Sequence, residues 1–228
     1  MSPLIAILGA IAYFVLLFGT FEVMFFRRGI AYWQRPIIVS IYFLAGTVVA
    51  LALFSNEPFR LLLQTPPEGV FAVVVLYLVL CFLAWRGYFT FSGSALHASR
   101  STRYESLRYV FAKTFDILFQ DTLVVIVALL MYAYIGDVTW SLFAFSVYFF
   151  VAHSLLATVL PLKFALIFTV ASFFAGLSFG TIVLFGLPVV YIFILHWLFY
   201  AATYTLIQRV RKEVLPLPVY NQLYGFFR

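Results

Sequence analysis

The sequence predicts an all-α fold, a polytopic transmembrane bundle of about seven helical spans. Three observations carry that prediction. Of the 228 residues, 65% are apolar and only 10% are charged. The mean hydropathy is +1.09, which leaves too little polar surface to enclose a water-soluble globule of this size. Apolar runs of about 20 residues, the length that crosses a hydrocarbon core, recur along the whole chain. Aromatic residues reach 21%, with 29 Phe, a usage that suits lipid-facing helices and interfacial belts.

The runs are Pro3 to Phe26, Pro36 to Phe54, Val70 to Phe91, Phe115 to Ile135, Thr139 to Leu160, Phe164 to Leu184 and Gly186 to Ile207. No basic residue precedes the first run, and it is longer than a signal-peptide core, so it reads as a retained span. The last two are so close that a tight helical hairpin is expected at Phe185 to Pro188. The chain is then one bundle over 1–228, with a polar segment at 92–114 and a cytoplasmic tail at 208–228. In 92–114, Leu96, Leu107, Val110 and Phe111 interleave with Arg and Lys, the pattern of an amphipathic helix lying in the cytoplasmic interface. In the tail, Pro216 and Pro218 with Tyr220, Tyr224, Phe226 and Phe227 suggest an extended strip against the membrane or a partner. In the sixth span Ser172, Gly176 and Gly180 recur at four-residue intervals, so a neighbouring helix is expected to approach closely there.

The formal net charge is +6, yet the cations are dispersed among short connections, which argues against a nucleic-acid surface. Arg27, Arg28 and Arg35 follow the first span; Arg100, Arg103, Arg108 and Lys113 follow the third; Lys163 and the Arg209, Arg211, Lys212 cluster continue the alternation. The intervening connections hold Glu57, Glu68 and Asp137, with Arg60 their one basic residue. The positive-inside rule therefore places the amino terminus outside and the carboxyl terminus in the cytoplasm, as expected of a multi-pass protein of a bacterial inner membrane. The single cysteine, Cys81, has no intrachain partner for a disulfide.

An ionisable side chain in hydrocarbon costs about 3 kcal/mol on insertion scales, so each asks for a partner or a task. Asp116, Gln120 and Asp121 open the fourth span, His153 lies in the fifth, and His196 with Tyr200 one turn later in the seventh; Glu22 and Arg86 occupy the first and third. Counted from the cytoplasmic ends, Asp121 lies ~9 Å deep, His153 ~10 Å and His196 ~16 Å. Polar groups from separate helices at similar depth point to one shared cavity in the cytoplasmic half. Asp116 reads as an interfacial helix-start residue, Glu22 and Arg86 as an ion pair or as side chains reaching for headgroups, and His97 as a loop residue without a role.

From the fourth span onward, residues 115–207, the order of features resembles the CPBP family, the intramembrane proteases related to the CAAX prenyl endopeptidase and to bacteriocin-processing proteins. The family's Phe-x-x-x-His appears as Phe149 and His153 in FFVAHSLL, and its His-x-x-x-Asn as His196 to Tyr200 in HWLFY. Between them, FFAGLSFGTIVLFGLPVVYIFILH is similar to the family's glycine-spaced helix, short turn and histidine-bearing helix. In the Glu-Glu-x-x-x-Arg motif Gln120 and Asp121 stand for the glutamates and Val125 for the arginine, while Tyr200 replaces the asparagine. The resemblance is to a divergent member.

The resemblance implies an endopeptidase in which a carboxylate and two histidines activate water on an amide, with a polar donor at the oxyanion. Gln120 cannot take a proton, so Asp121 would act as the carboxylate, His153 and His196 as the imidazoles and Tyr200 as the donor; Arg86 could partner the carboxylate. No cofactor is implied, although Asp121, His153 and His196 are also a conceivable zinc set with an open fourth position, and the two histidines a conceivable haem pair. The expected partners are the bilayer and either a membrane-inserted or lipidated peptide or another membrane protein. Two further readings stand beside the peptidase: a catalytically inactive scaffold that binds a partner, and a small transporter with an ion relay.

Overall fold

The computed structural model describes residues 2–25, 28, 34–55, 57–63, 100–154 and 162–197. Among them the chain is all-helical, without strands: α1 (Pro3–Met24), α2 (Pro36–Leu53), α3 (Glu57–Leu63), α4 (Arg100–Ile135), α5 (Val138–Ser154) and α6 (Leu162–Leu184), then helical backbone over 190–197. Among the described residues, three helices are long and apolar enough to cross a membrane, at Pro3–Phe21, Pro36–Leu53 and Phe111–Ile135, and Val138–Ser154 and Thr169–Leu184 are shorter apolar helices. The third predicted span, Val70 to Phe91, and the tail 208–228 lie outside the described residues.

The helix ends follow local chemistry. Ser2 caps α1 and Pro3 opens it, where a missing N–H is harmless. α4 stops at Gly136, whose φ of 77° is left-handed, with its N–H donating to the Tyr132 carbonyl at 2.8 Å. Asp137 follows at once as the cap of α5, accepting the Trp140 N–H at 2.9 Å, so a two-residue turn reverses the chain. At the end of α6, Gly186 has φ 68°, and Leu187 and Gly186 donate to the carbonyls of Ile182 at 2.9 Å and Val183 at 3.3 Å, the paired bonds of a Schellman ending. The expected hairpin at Phe185 to Pro188 thus has a defined basis.

α4 is the axis of the fold, packing on α1, α2, α3, α5 and α6. It runs unbroken from Arg100, whereas the sequence predicts an interfacial segment to 114 and a separate span from Phe115. No Gly or Pro lies between Arg100 and Ile135, so nothing interrupts the hydrogen-bond ladder at that boundary. From Leu123 to Ala128 every residue is buried; a helix buried all round lies inside a bundle. Phe119, fully buried, packs against the rings of Tyr13, Phe14, Phe18 and Phe43 at centroid distances of 6.0, 6.3, 5.9 and 6.0 Å. It joins α4 to the antiparallel α1–α2 pair, itself tied by Tyr13 donating to the Gly46 carbonyl at 2.9 Å and Tyr42 to the Leu17 carbonyl at 2.7 Å. The outer faces expose Ile5, Leu8, Val15, Leu16, Ile37 and Ile41, an apolar surface that calls for lipid.

α5 and α6 run antiparallel at close range, as the small-residue stripe predicts. A Cβ on Gly176 would lie 2.9 Å from the Ser146 Cα, and one on Gly180 2.6 Å from a Leu142 methyl. A Cβ on Gly19 of α1 would meet nothing within 4 Å. Gly176→Leu should therefore destabilise the bundle by about 1–3 kcal/mol through overpacking, while Gly19→Leu changes little; unfolding of both variants in detergent, followed by circular dichroism, checks the contrast.

Candidate functional site

The polar residues of α4 fall into two groups. Lys113, Asp116 and Gln120 lie three and four residues apart, on one stripe of the helix. Asp116 is fully buried and Lys113 nearly so; Lys113 Nζ pairs with Asp116 Oδ2, and Gln120 Nε2 donates to Asp116 Oδ1 at 2.7 Å. One sequence expectation is corrected here. Asp116 is an interior residue of α4 and not a helix-start residue, and Lys113, among the cations that follow the third predicted span, is its buried partner. The reason is the unbroken helix, which carries residues 113–120 into the bundle, where a charge must be neutralised locally.

Asp121 belongs to the second group. At about 100° per residue it points some 200° away from Phe119, so the helix turns its aromatic face to α1 and α2 and this carboxylate to the other side. There Asp121 Oδ1 meets His196 Nδ1 at 2.6 Å, 75 residues away in sequence, and both side chains are buried. The Schellman turn after α6 sets the direction of 190–197 and so delivers His196 to α4. A carboxylate oxygen accepts, so His196 Nδ1 carries the proton, and Nε2 is its basic nitrogen whenever the ring is neutral. Asp121 Oδ2 is buried with no hydrogen-bond partner among the described residues.

His153 enters from the last turn of α5. It and Asp121 are nearly equidistant in sequence from the Gly136–Asp137 turn, so the hairpin sets them at one level, about 23 Å from it at ~1.5 Å per residue. Its Nδ1 lies 2.8 Å from the Phe149 carbonyl; a carbonyl only accepts, so Nδ1–H donates and Nε2 is again the basic nitrogen. The Phe149 ring lies along the imidazole, 5.4 Å between centroids and 30° between planes. Phe149 meets Phe179 at 5.8 Å, and Phe179 meets His196 at 5.7 Å, so two phenyl rings link the imidazoles.

The structure thus joins Asp121 to His196 and brings His153 alongside through Phe149 and Phe179, while Gln120 is turned to Asp116. Tyr200, Arg86 and His97 lie outside the described residues, as does the side chain of Glu22. Among the described residues, Asp121, His153 and His196 included, no three His, Cys, Asp or Glu side chains gather so as to hold a metal ion. Sequence reasoning missed Thr169. Its hydroxyl donates to the His153 carbonyl at 3.2 Å, and its position three residues before Ser172, on the small-residue stripe of α6, was the available signal.

Lys113→Met should cost up to about 3–5 kcal/mol, because it removes the buried cation that pairs with Asp116 Oδ2. Adding Asp116→Asn removes the carboxylate while keeping an acceptor for Gln120, and should recover most of the loss; a double-mutant cycle of unfolding free energies in detergent measures it.

In comparisons with known proteins, no family model, curated protein or solved structure matches this chain.

Proposed function

We propose that the chain is an integral membrane endopeptidase of the CPBP kind, cutting a lipidated or membrane-inserted peptide from the cytoplasmic side. The observation that carries this reading is the buried Asp121–His196 pair, 2.6 Å between Oδ1 and Nδ1. A carboxylate that accepts Nδ1–H orients the imidazole, stabilises its protonated form and leaves Nε2 to take a proton from water. The water oxygen then attacks the amide carbon, the carbonyl oxygen takes up the charge, and the proton on His196 Nε2 passes to the leaving nitrogen as the C–N bond breaks. His153, with Nδ1–H held by Phe149, offers Nε2 for a second proton transfer. Tyr200 is the proposed oxyanion donor.

The same reading takes seven spans in a bacterial inner membrane, amino terminus outside. The three long apolar helices and the alternation of cations along the sequence support it. In a Cys81→Ser background, Thr139→Cys should react with a membrane-impermeant maleimide in intact cells, and Ser101→Cys only after permeabilisation. Labelling of Ser101→Cys in intact cells would reverse the orientation.

One observation favours a second reading, a non-catalytic scaffold: Gln120, at the family's first glutamate position, has no proton to exchange and bonds Asp116 at 2.7 Å. Wild type, Asp121→Asn, His153→Ala and His196→Ala, expressed at matched membrane levels in cells lacking the native copy, separate the two. Peptide termini that appear with wild type and vanish with all three variants are the expected result. Unchanged termini, with a defined membrane protein co-purifying with wild type, would establish the scaffold instead.

A further inference from the structure

Hydroxyl groups in spanning helices ordinarily return to their own backbone, donating to the carbonyl one turn earlier. Thr47, Thr122, Ser146 and Thr181 all do so here, at 2.7–2.9 Å. Thr169 departs from that habit: buried on α6, it reaches across to the His153 carbonyl of α5 at 3.2 Å. Ser172, one turn on and equally buried, donates to the Thr169 carbonyl at 2.7 Å and lies 3.3 Å from the Phe149 carbonyl. The two α5 carbonyls approached from α6 are therefore that of His153 itself and the one that accepts its Nδ1–H.

This matters because of where His153 sits. His153 and the Phe149 carbonyl that accepts its Nδ1–H are one turn apart on α5, and an α6 hydroxyl meets the carbonyl at each end of that turn. The tautomer of a histidine is set by the bond its other nitrogen makes. If the Phe149 carbonyl shifts, Nδ1 loses its acceptor and the imidazole exchanges its two nitrogens. Gly176 and Gly180 let α6 come close enough for the hydroxyls to reach.

We propose that Thr169 and Ser172 are positioning residues for His153, holding the last turn of α5 so that the imidazole keeps its proton on Nδ1 and presents Nε2 for proton transfer. The catalytic part of this inference rests on the peptidase reading; the positioning part does not.

The chain has three histidines, so imidazole nitrogen NMR on full-length protein with isotope-labelled histidine, assigned by single substitutions, resolves each ring. Wild type should show His153 as a single Nδ1–H tautomer. Thr169→Val and Ser172→Ala should each convert it to a mixture without moving His196, and should reduce the wild-type-dependent peptide termini severalfold. Thr169→Ser, which keeps the hydroxyl, should retain the single tautomer, as should Thr181→Val, which deletes a hydroxyl bonded within α6. An unchanged His153 signature in both Thr169→Val and Ser172→Ala overturns the proposal, as does an equal disturbance in Thr181→Val. Should one variant fail to fold, the other carries the test. If wild type generates no Asp121-dependent termini, the peptidase reading fails while the NMR result still decides the positioning role.

Discussion

The contact between Asp121 and His196 organises this bundle, because it is the place where two ionisable groups in an apolar solvent satisfy each other across 75 residues of chain. A lone carboxylate there would be too costly to keep charged, and a lone imidazole would need another acceptor. The contact depends on the rotation of α4 and on the direction that the glycine turn after α6 gives to 190–197. Both side chains are buried, the setting in which a carboxylate orients an imidazole most strongly.

α4 meets two demands with one uninterrupted surface. Phe119 gathers four aromatic rings from α1 and α2, while Asp121, on the opposite side, faces the histidine-bearing half. The Lys113–Asp116–Gln120 ladder keeps the stretch before Asp121 neutral overall, so that a helix carrying several polar side chains remains compatible with burial. The hairpin at Gly136 then sets the level of His153, and hydroxyls from α6 hold the turn in which it lies. Apolar packing places the helices; a few hydrogen bonds decide how the imidazoles are turned.

Much of the architecture was legible in the sequence because it depends on local chemistry or on period. Glycine followed by a capping residue at Gly136–Asp137, and glycine with proline at Gly186–Pro188, announce the reversals. Small residues four apart announce the close approach of α6, and Asp121, His153 and His196 stand out because ionisable groups are rare in apolar runs. Asp116 was misread because a helix start was assumed at Phe115, and a helix that continues to Arg100 has no end there.

The sequence by itself determined a helical membrane protein, the reversal points, the close-packing stripe and the short set of polar residues worth considering, since composition, spacing and turn chemistry act over a few residues. Only the tertiary structure decided the pairings among them: Asp121 with His196, Gln120 with Asp116, Nδ1 of His153 with its own helix, and Thr169 with the neighbouring one. Those choices depend on the rotation of each helix about its axis, at about 100° per residue, and that rotation is fixed by packing between segments far apart in the chain.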